Sequence, residues 1–255
     1  MTYVRYIYNY IDRFAPFDTQ MDFDNSGLII GSDDKKVFKA MLCLDITKEV
    51  VEEAKLNSAQ LIISHHPCIF NPIKRLEPDS VPYMLAAYGI TAICAHTNLD
   101  MAQGGVNDVL CEKIGLTNVT GLLPVSENVY ACRIGELEDP LSPSEFAQSV
   151  SKALHYKGVT YTEGDCMIKK VAVCSGAGDD LLSQCFDSAD AFVTGEVHHH
   201  IFLQAKELGK TLVCAGHYAT EAPAMDALLK ILDKNFPDVE FVRAKSDTNP
   251  QKCVY

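Results

Sequence analysis

Seven of the eight histidines in this chain fall in four short segments: Ser64-His-His-Pro, Ala95-His-Thr-Asn-Leu-Asp, Gly195-Glu-Val-His-His-His and Gly216-His-Tyr-Ala-Thr-Glu. Random placement would scatter them. Neutral imidazoles and carboxylates together make a borderline donor set that suits Zn, Mn, Fe or Co at two adjacent positions, because a carboxylate can bridge or neutralise two cations. His65 and His66 are chain neighbours, and on a regular strand their side chains would point to opposite faces. At a strand end the chain can turn, and two ions that each take one imidazole resolve the divergence. The competing reading is that one of the pair packs or hydrogen-bonds internally.

Asp100 and Glu221 each follow a histidine by four residues. Neither segment is the H-E-x-x-H helix of zinc proteases. Thr220 and Pro223 put Glu221 in the first turn of a helix, where a carboxylate also complements the helix dipole, so that role competes with ligation. Glu196, His198, His199 and His200 cannot all face one site, and some of them belong to the surface. His96 is a candidate for binding substrate, holding a water or orienting a ligand through its second nitrogen. Asn98 and Asp24 are candidate polar neighbours, although turn formation explains both equally well. His155 stands alone after a helical stretch and reads as surface or packing.

The elements that must position these residues alternate between strand and helix. Val4, Ile7, Ile11 and Phe14 recur at helical spacing, and Asp22-Phe-Asp-Asn-Ser-Gly is a turn that leads into the apolar run from Leu28. Residues 39–46 read as a buried strand, followed by a helix capped by Thr47. The runs at 61–64 and 90–95 lead directly into His65-His66 and His96, which places the polar chemistry at strand C-terminal ends, where open α/β sheets hold ligands. Further on come a helix near 106–114, a linker around Pro124, a strand from Val129 and a helix opened by the capping box Ser142-Pro-Ser-Glu. Strands are expected near 159–163, 169–174, 191–194, 211–215 and 239–242, with a helix carrying Met225, Leu228, Leu229 and Leu232 before the last.

The two halves run in parallel. Lys39-Ala-Met-Leu-Cys-Leu, the strand into His65-His66, and Gly89-Ile-Thr-Ala-Ile-Cys-Ala-His with Asp100 are matched by Lys170-Val-Ala-Val-Cys-Ser, the strand into Gly195-Glu196, and Gly209-Lys-Thr-Leu-Val-Cys-Ala-Gly-His with Glu221. This pattern predicts two similar α/β domains related by an internal pseudo-duplication. The first spans residues 1–124, with 236–255 returning to it, and the second spans 125–255.

Composition narrows the function classes. The chain has 255 residues, 47% hydrophobic and 22% charged, enough for a sizeable core. A formal charge of −12 argues against a surface that neutralises many phosphates, and hence against nucleic acid as a partner. The ten cysteines are scattered without C-x-x-C spacing, and several lie in apolar runs (Cys43, Cys94, Cys174, Cys214), so they read as reduced core thiols. No signal-peptide pattern opens the chain, and no run reaches the roughly 18 apolar residues of a membrane span. The expectation is a soluble, cytoplasmic protein with no membrane association.

Phe23-Asp-Asn-Ser-Gly-Leu, Ser64-His-His-Pro, His96-Thr-Asn-Leu-Asp, Thr194-Gly-Glu-Val-His-His, Gly216-His-Tyr-Ala-Thr-Glu and Asp247-Thr-Asn-Pro, in that order and spacing, resemble the Nif-three-like family, whose members also carry the label GTP cyclohydrolase I type 2-like. The resemblance covers nearly the whole chain. Where the family commonly has Trp before the Asp-Asn pair, this chain has Phe23, a minor aromatic exchange. The resemblance implies two similar α/β domains with a dinuclear metal site at their junction, and a homohexamer built as a trimer of dimers. It assigns the ligands of two divalent ions per chain (Zn, Mn, Fe, Co or Ni) to His65, His66, Asp100, His217 and Glu221. It also leaves Glu196 and His198 near the cavity, and these two with His96 are the candidate catalytic residues. Residues 116–126 leave no room for the inserted domain of longer relatives. The label implies metal-assisted hydrolysis of the guanine imidazole ring of GTP, with a nearby His or Glu moving protons. No Walker-type phosphate loop is present. A hydrolase acting on a small molecule is the favoured reading; a metal-handling protein and a scaffold or regulatory protein without turnover are the alternatives.

Overall fold

A computed structural model describes residues 1–254, which form two compact units. The first comprises Met1–Ala102 and Ala224–Thr248, and the second Gln103–Pro223 with the residues from Asn249. The boundary at Pro223 falls inside the helix His217–Asn235.

In the first unit a five-stranded sheet has the order Glu240–Arg243, Lys39–Cys43, Leu61–Ser64, Thr91–Cys94, Gly27–Ile30. The first four strands are parallel and the last is antiparallel. Every residue of Leu61–Ser64 and Thr91–Cys94 is buried, as strands covered on both faces must be, which explains their continuous apolar runs. Met41, Ile62 and Ala92 pack with Val50, Val51 and Ala54 from the helix Lys48–Leu56, whose first turn is capped by Thr47 accepting from the Val50 N–H. At the end of the strand Lys39–Cys43, the buried Asp247 carboxylate accepts the Leu44 N–H at 2.6 Å and pairs with Arg243, fixing the backbone that leads into Asp45.

The second unit holds a six-stranded sheet in the order Thr117–Ser126, Val129–Leu141, Ile168–Val173, Ala191–Thr194, Thr211–Cys214, Thr160–Tyr161. Its three central strands, from Ile168 to Cys214, run parallel. Their two faces are covered by separate apolar clusters, one containing Phe146, Val171 and Val193, the other Ala172, Phe192 and Leu212.

The duplication is visible in the ladders. Ser64 pairs with Cys94 in the first sheet and Thr194 with Cys214 in the second, and just beyond, the Ala95 N–H donates to the Ser64 carbonyl as the Ala215 N–H donates to that of Thr194. The fold class is therefore α/β with two similar units. Residues 103–124 group with the second unit rather than ending the first: the helix Val106–Lys113 buries Leu110 and Cys111 in the second unit's core. The expected linker around Pro124 is part of a strand. Proline is tolerated there because Thr117–Ser126 is the edge of its sheet.

All ten cysteines are free thiols, and burial pushes the Cys214 thiol up to about 12 and Cys94 and Cys43 well up, so these core sulfurs stay protonated. Among the described residues, no helix is long and apolar enough to cross a membrane.

Candidate metal sites

In the first unit three imidazoles come together at the C-terminal ends of neighbouring strands. His65 and His66 follow Leu61–Ser64 and His96 follows Thr91–Cys94, with ring centroids 5.0, 5.2 and 5.4 Å apart. The divergence expected of adjacent residues is resolved by the backbone: the N–H groups of His65 and His66 still donate to Cys43 and Leu44, while the ring of His65 is buried and that of His66 is partly exposed. One ligand atom from each of the three rings lies within 4.8 Å of the others, so this group could hold a metal ion. Asp100, in the short helix Thr97–Met101, brings Oδ1 to 3.5 Å from His65 Nε2.

Each of the three rings is oriented through Nδ1. His65 Nδ1 lies 2.8 Å from the Ala95 carbonyl, His66 Nδ1 2.7 Å from Asp45 Oδ1 and His96 Nδ1 2.8 Å from Asp24 Oδ1. A carbonyl or an ionised carboxylate only accepts, so Nδ1 carries the proton and Nε2 keeps its lone pair in the neutral ring. That is the tautomer a metal ligand requires, held by the type of partner that ligating histidines have. Burial opposes ionisation of Asp24, but hydrogen bonds from His96 and Thr97 outweigh it and hold its carboxyl well below the usual carboxylate range. Asp24 is thus the anchor of His96, and its turn places the second oxygen to accept from the N–H and hydroxyl of Thr97. Asn98 instead holds the chain, donating to the Ala15 carbonyl.

The second unit carries a smaller set. His217 opens the helix His217–Asn235, so Glu221 is one turn further on the same face, its carboxylate 3.2 Å from His217 Nε2. The helix starts earlier than Thr220 and Pro223 imply, and Pro223 lies inside it. Counted from the matched cysteines Cys94 and Cys214, His217 comes one residue later than His96, and the extra position is Gly216 at φ +82°. Glu221 is buried; Gly176, at φ +63°, lies where any side chain would collide with its carboxylate. Glu196 accepts from His217 Nδ1 at 3.0 Å, the part that Asp45 and Asp24 play in the first unit. His198 goes elsewhere: Nδ1 is 2.7 Å from Asp179, and its side chain is 81% exposed. His199 and His200 are exposed in the helix His199–Glu207, and His155 is exposed.

The chemistry of these donors fits divalent cations: neutral imidazoles with lone pairs on Nε2, and carboxylates beside them. Asp45 and Asp179 were not legible as site residues. The only signal for Asp45 is an acid at the end of the apolar run from Lys39.

Fold and donors together define an α/β protein with two similar units and residue groups able to hold a metal ion. The family model for Duf34/NIF3 (NGG1p interacting factor 3) matches residues 2–250, and the chain belongs to that family. It is 32% identical to a GTP cyclohydrolase 1 type 2 homolog of Clostridium perfringens, over 97% of this chain and 98% of that one. It is 31% identical to NGG1-interacting factor 3 of Saccharomyces cerevisiae, over 94% and 93% of the two chains. Among solved structures, a Bacillus cereus protein related to NIF3 superposes with TM-score 0.94 at 24% identity, covering 100% of this chain and 99% of that one, a likeness of fold. Reduced HcgD from Methanocaldococcus jannaschii superposes with TM-score 0.82 at 30% identity, covering 96% and 98%.

Proposed function

We propose that the chain holds a dinuclear metal centre and uses it for hydrolysis of a small molecule. The observation that carries this reading is the set of Nδ1 anchors: His65, His66 and His217 are each held in the tautomer that presents Nε2 to a cation. His65, His66 and Asp100 would supply one half of the ligand set, and His217 and Glu221 the other. The family resemblance assigns these five residues as the ligands of the two ions. When bound, the ions would supply Lewis acidity and a water made nucleophilic near neutral pH.

The protein's own groups have separable tasks in this reading. Asp45 and Glu196 orient His66 and His217. His96, held by Asp24, groups with His65 and His66; the family resemblance leaves it outside the five ligands, and in this reading it holds a water or a polar edge of substrate. Exposed His198, held by the partly buried Asp179, is suited to proton exchange with solvent or to substrate contact at the rim. Assembly as a hexamer accompanies this proposal on the family resemblance, and residence in the cytoplasm on the sequence reading.

The name of the yeast relative favours a second reading, a regulatory partner of another protein. Hydrolysis of GTP and related ring compounds, measured with metal-stripped and reloaded protein and with His65→Ala, separates the two. Metal-dependent turnover lost in the variant supports the hydrolase; metal bound without turnover leaves the regulatory or metal-handling reading.

A further inference from the structure

Two phenyl rings stand open at the edge of the imidazole cluster. Phe23 is 59% exposed and Phe70 45% exposed, with centroids 6.1 Å apart and planes tilted by 38°. Phe70 also meets the ring of His96 edge-on, at a centroid separation of 6.4 Å and an interplanar angle of 76°. Side-chain hydrogen bonds from the neighbouring residues hold this arrangement. Asn25 donates its side-chain N–H to the Ile69 carbonyl at 2.6 Å, joining the two loops, and Asp24, next to Phe23, is bound to His96 and Thr97.

Leaving two phenyl rings in water forgoes the burial that stabilises such side chains elsewhere. A fixed apolar surface beside a few convergent polar groups is instead the composition of a small-molecule pocket. Tilted rings with open faces favour a flat partner that can stack or meet them edge-on.

We propose that Phe23 and Phe70 are a stacking platform for a planar heteroaromatic ring, which they hold beside His66 and His96. The proposal rests on reading the site as one that receives a small-molecule substrate, and it names the recognition: a planar heteroaromatic ring bound through its face, with nucleosides as the probes.

The chain contains no tryptophan, so Phe23→Trp places a single indole reporter on the platform. Metal-loaded Phe23→Trp protein is titrated with guanosine, adenosine and, as a non-aromatic control, ribose. The expected result is saturable quenching by the nucleosides and none by ribose, with the midpoint raised about tenfold by adding either Phe70→Ala or Phe70→Leu. Metal content stays unchanged in both, and Phe70→Leu keeps the apolar bulk should the alanine variant fold poorly. No saturable quenching up to about 10 mM, a millimolar ceiling already weak for a stacked base, would overturn the proposal. So would quenching indifferent to both Phe70 variants, or variants that alter only the oligomeric mass, which would make the rings a contact between copies. Because binding is read without turnover, quenching in an inactive protein would sink the hydrolase while supporting the platform.

Discussion

His66 Nδ1 and Asp45 Oδ1 lie 2.7 Å apart, across 21 residues of sequence. The pair fixes both the rotation of the ring and the position of its proton. Removing the carboxylate removes that constraint on ring rotation and tautomer. Asp45→Ala is therefore expected to weaken metal binding roughly 10- to 100-fold with the fold intact, as read by competition with a chromogenic chelator. Unchanged affinity would show that the ring needs no such anchor.

Gly176 and Gly115 make a matched comparison. Both have φ in the left-handed region, +63° and +78°, but a Cβ at Gly115 meets nothing within 4 Å whereas one at Gly176 collides with the Glu221 carboxylate. Gly115→Ala should cost about 1 kcal/mol of stability, the backbone penalty alone, and leave metal content unchanged. Gly176→Ala should cost more and also reduce metal content, because Glu221 must move. Thermal melts and elemental analysis of the two variants provide the check.

Asp24 predicts a pH dependence of stability. Its pKa is lowered from 3.8 in the folded chain, so folding favours the ionised form. The contribution is fully present above the unfolded value, near pH 4, and is lost as pH falls toward the folded value. Asp24→Asn should be less stable than wild type at neutral pH, and the difference should shrink below about pH 4 in urea titrations. A gap that stays constant through that range would assign the loss to packing rather than charge.

Much of the architecture was legible because the central strands are buried on both faces and so appear as short continuous apolar runs, with the histidines directly at their ends. The duplication was legible for the same reason: 170–175 repeats 39–44 in pattern. Other features depended on distant partners. Pro124 read as a linker because its edge position cannot be seen locally. Pro223 read as a helix start, whereas the helix begins at His217. Asp45 and Phe70 gained meaning only when the fold brought them to His66 and His96. His198, grouped with the site by motif, is held by Asp179, which the sequence did not mark.

The most direct test of the central claim is metal content, by elemental mass spectrometry, in wild type, His66→Ala and Glu221→Ala, each purified without added metal and again after reloading. The account predicts about two ions per wild-type chain after reloading and a clear loss in both variants, since His66 and Glu221 are both among the proposed ligands. Glu221→Ala protein that binds as many ions as wild type, or a wild type that binds none, would contradict it.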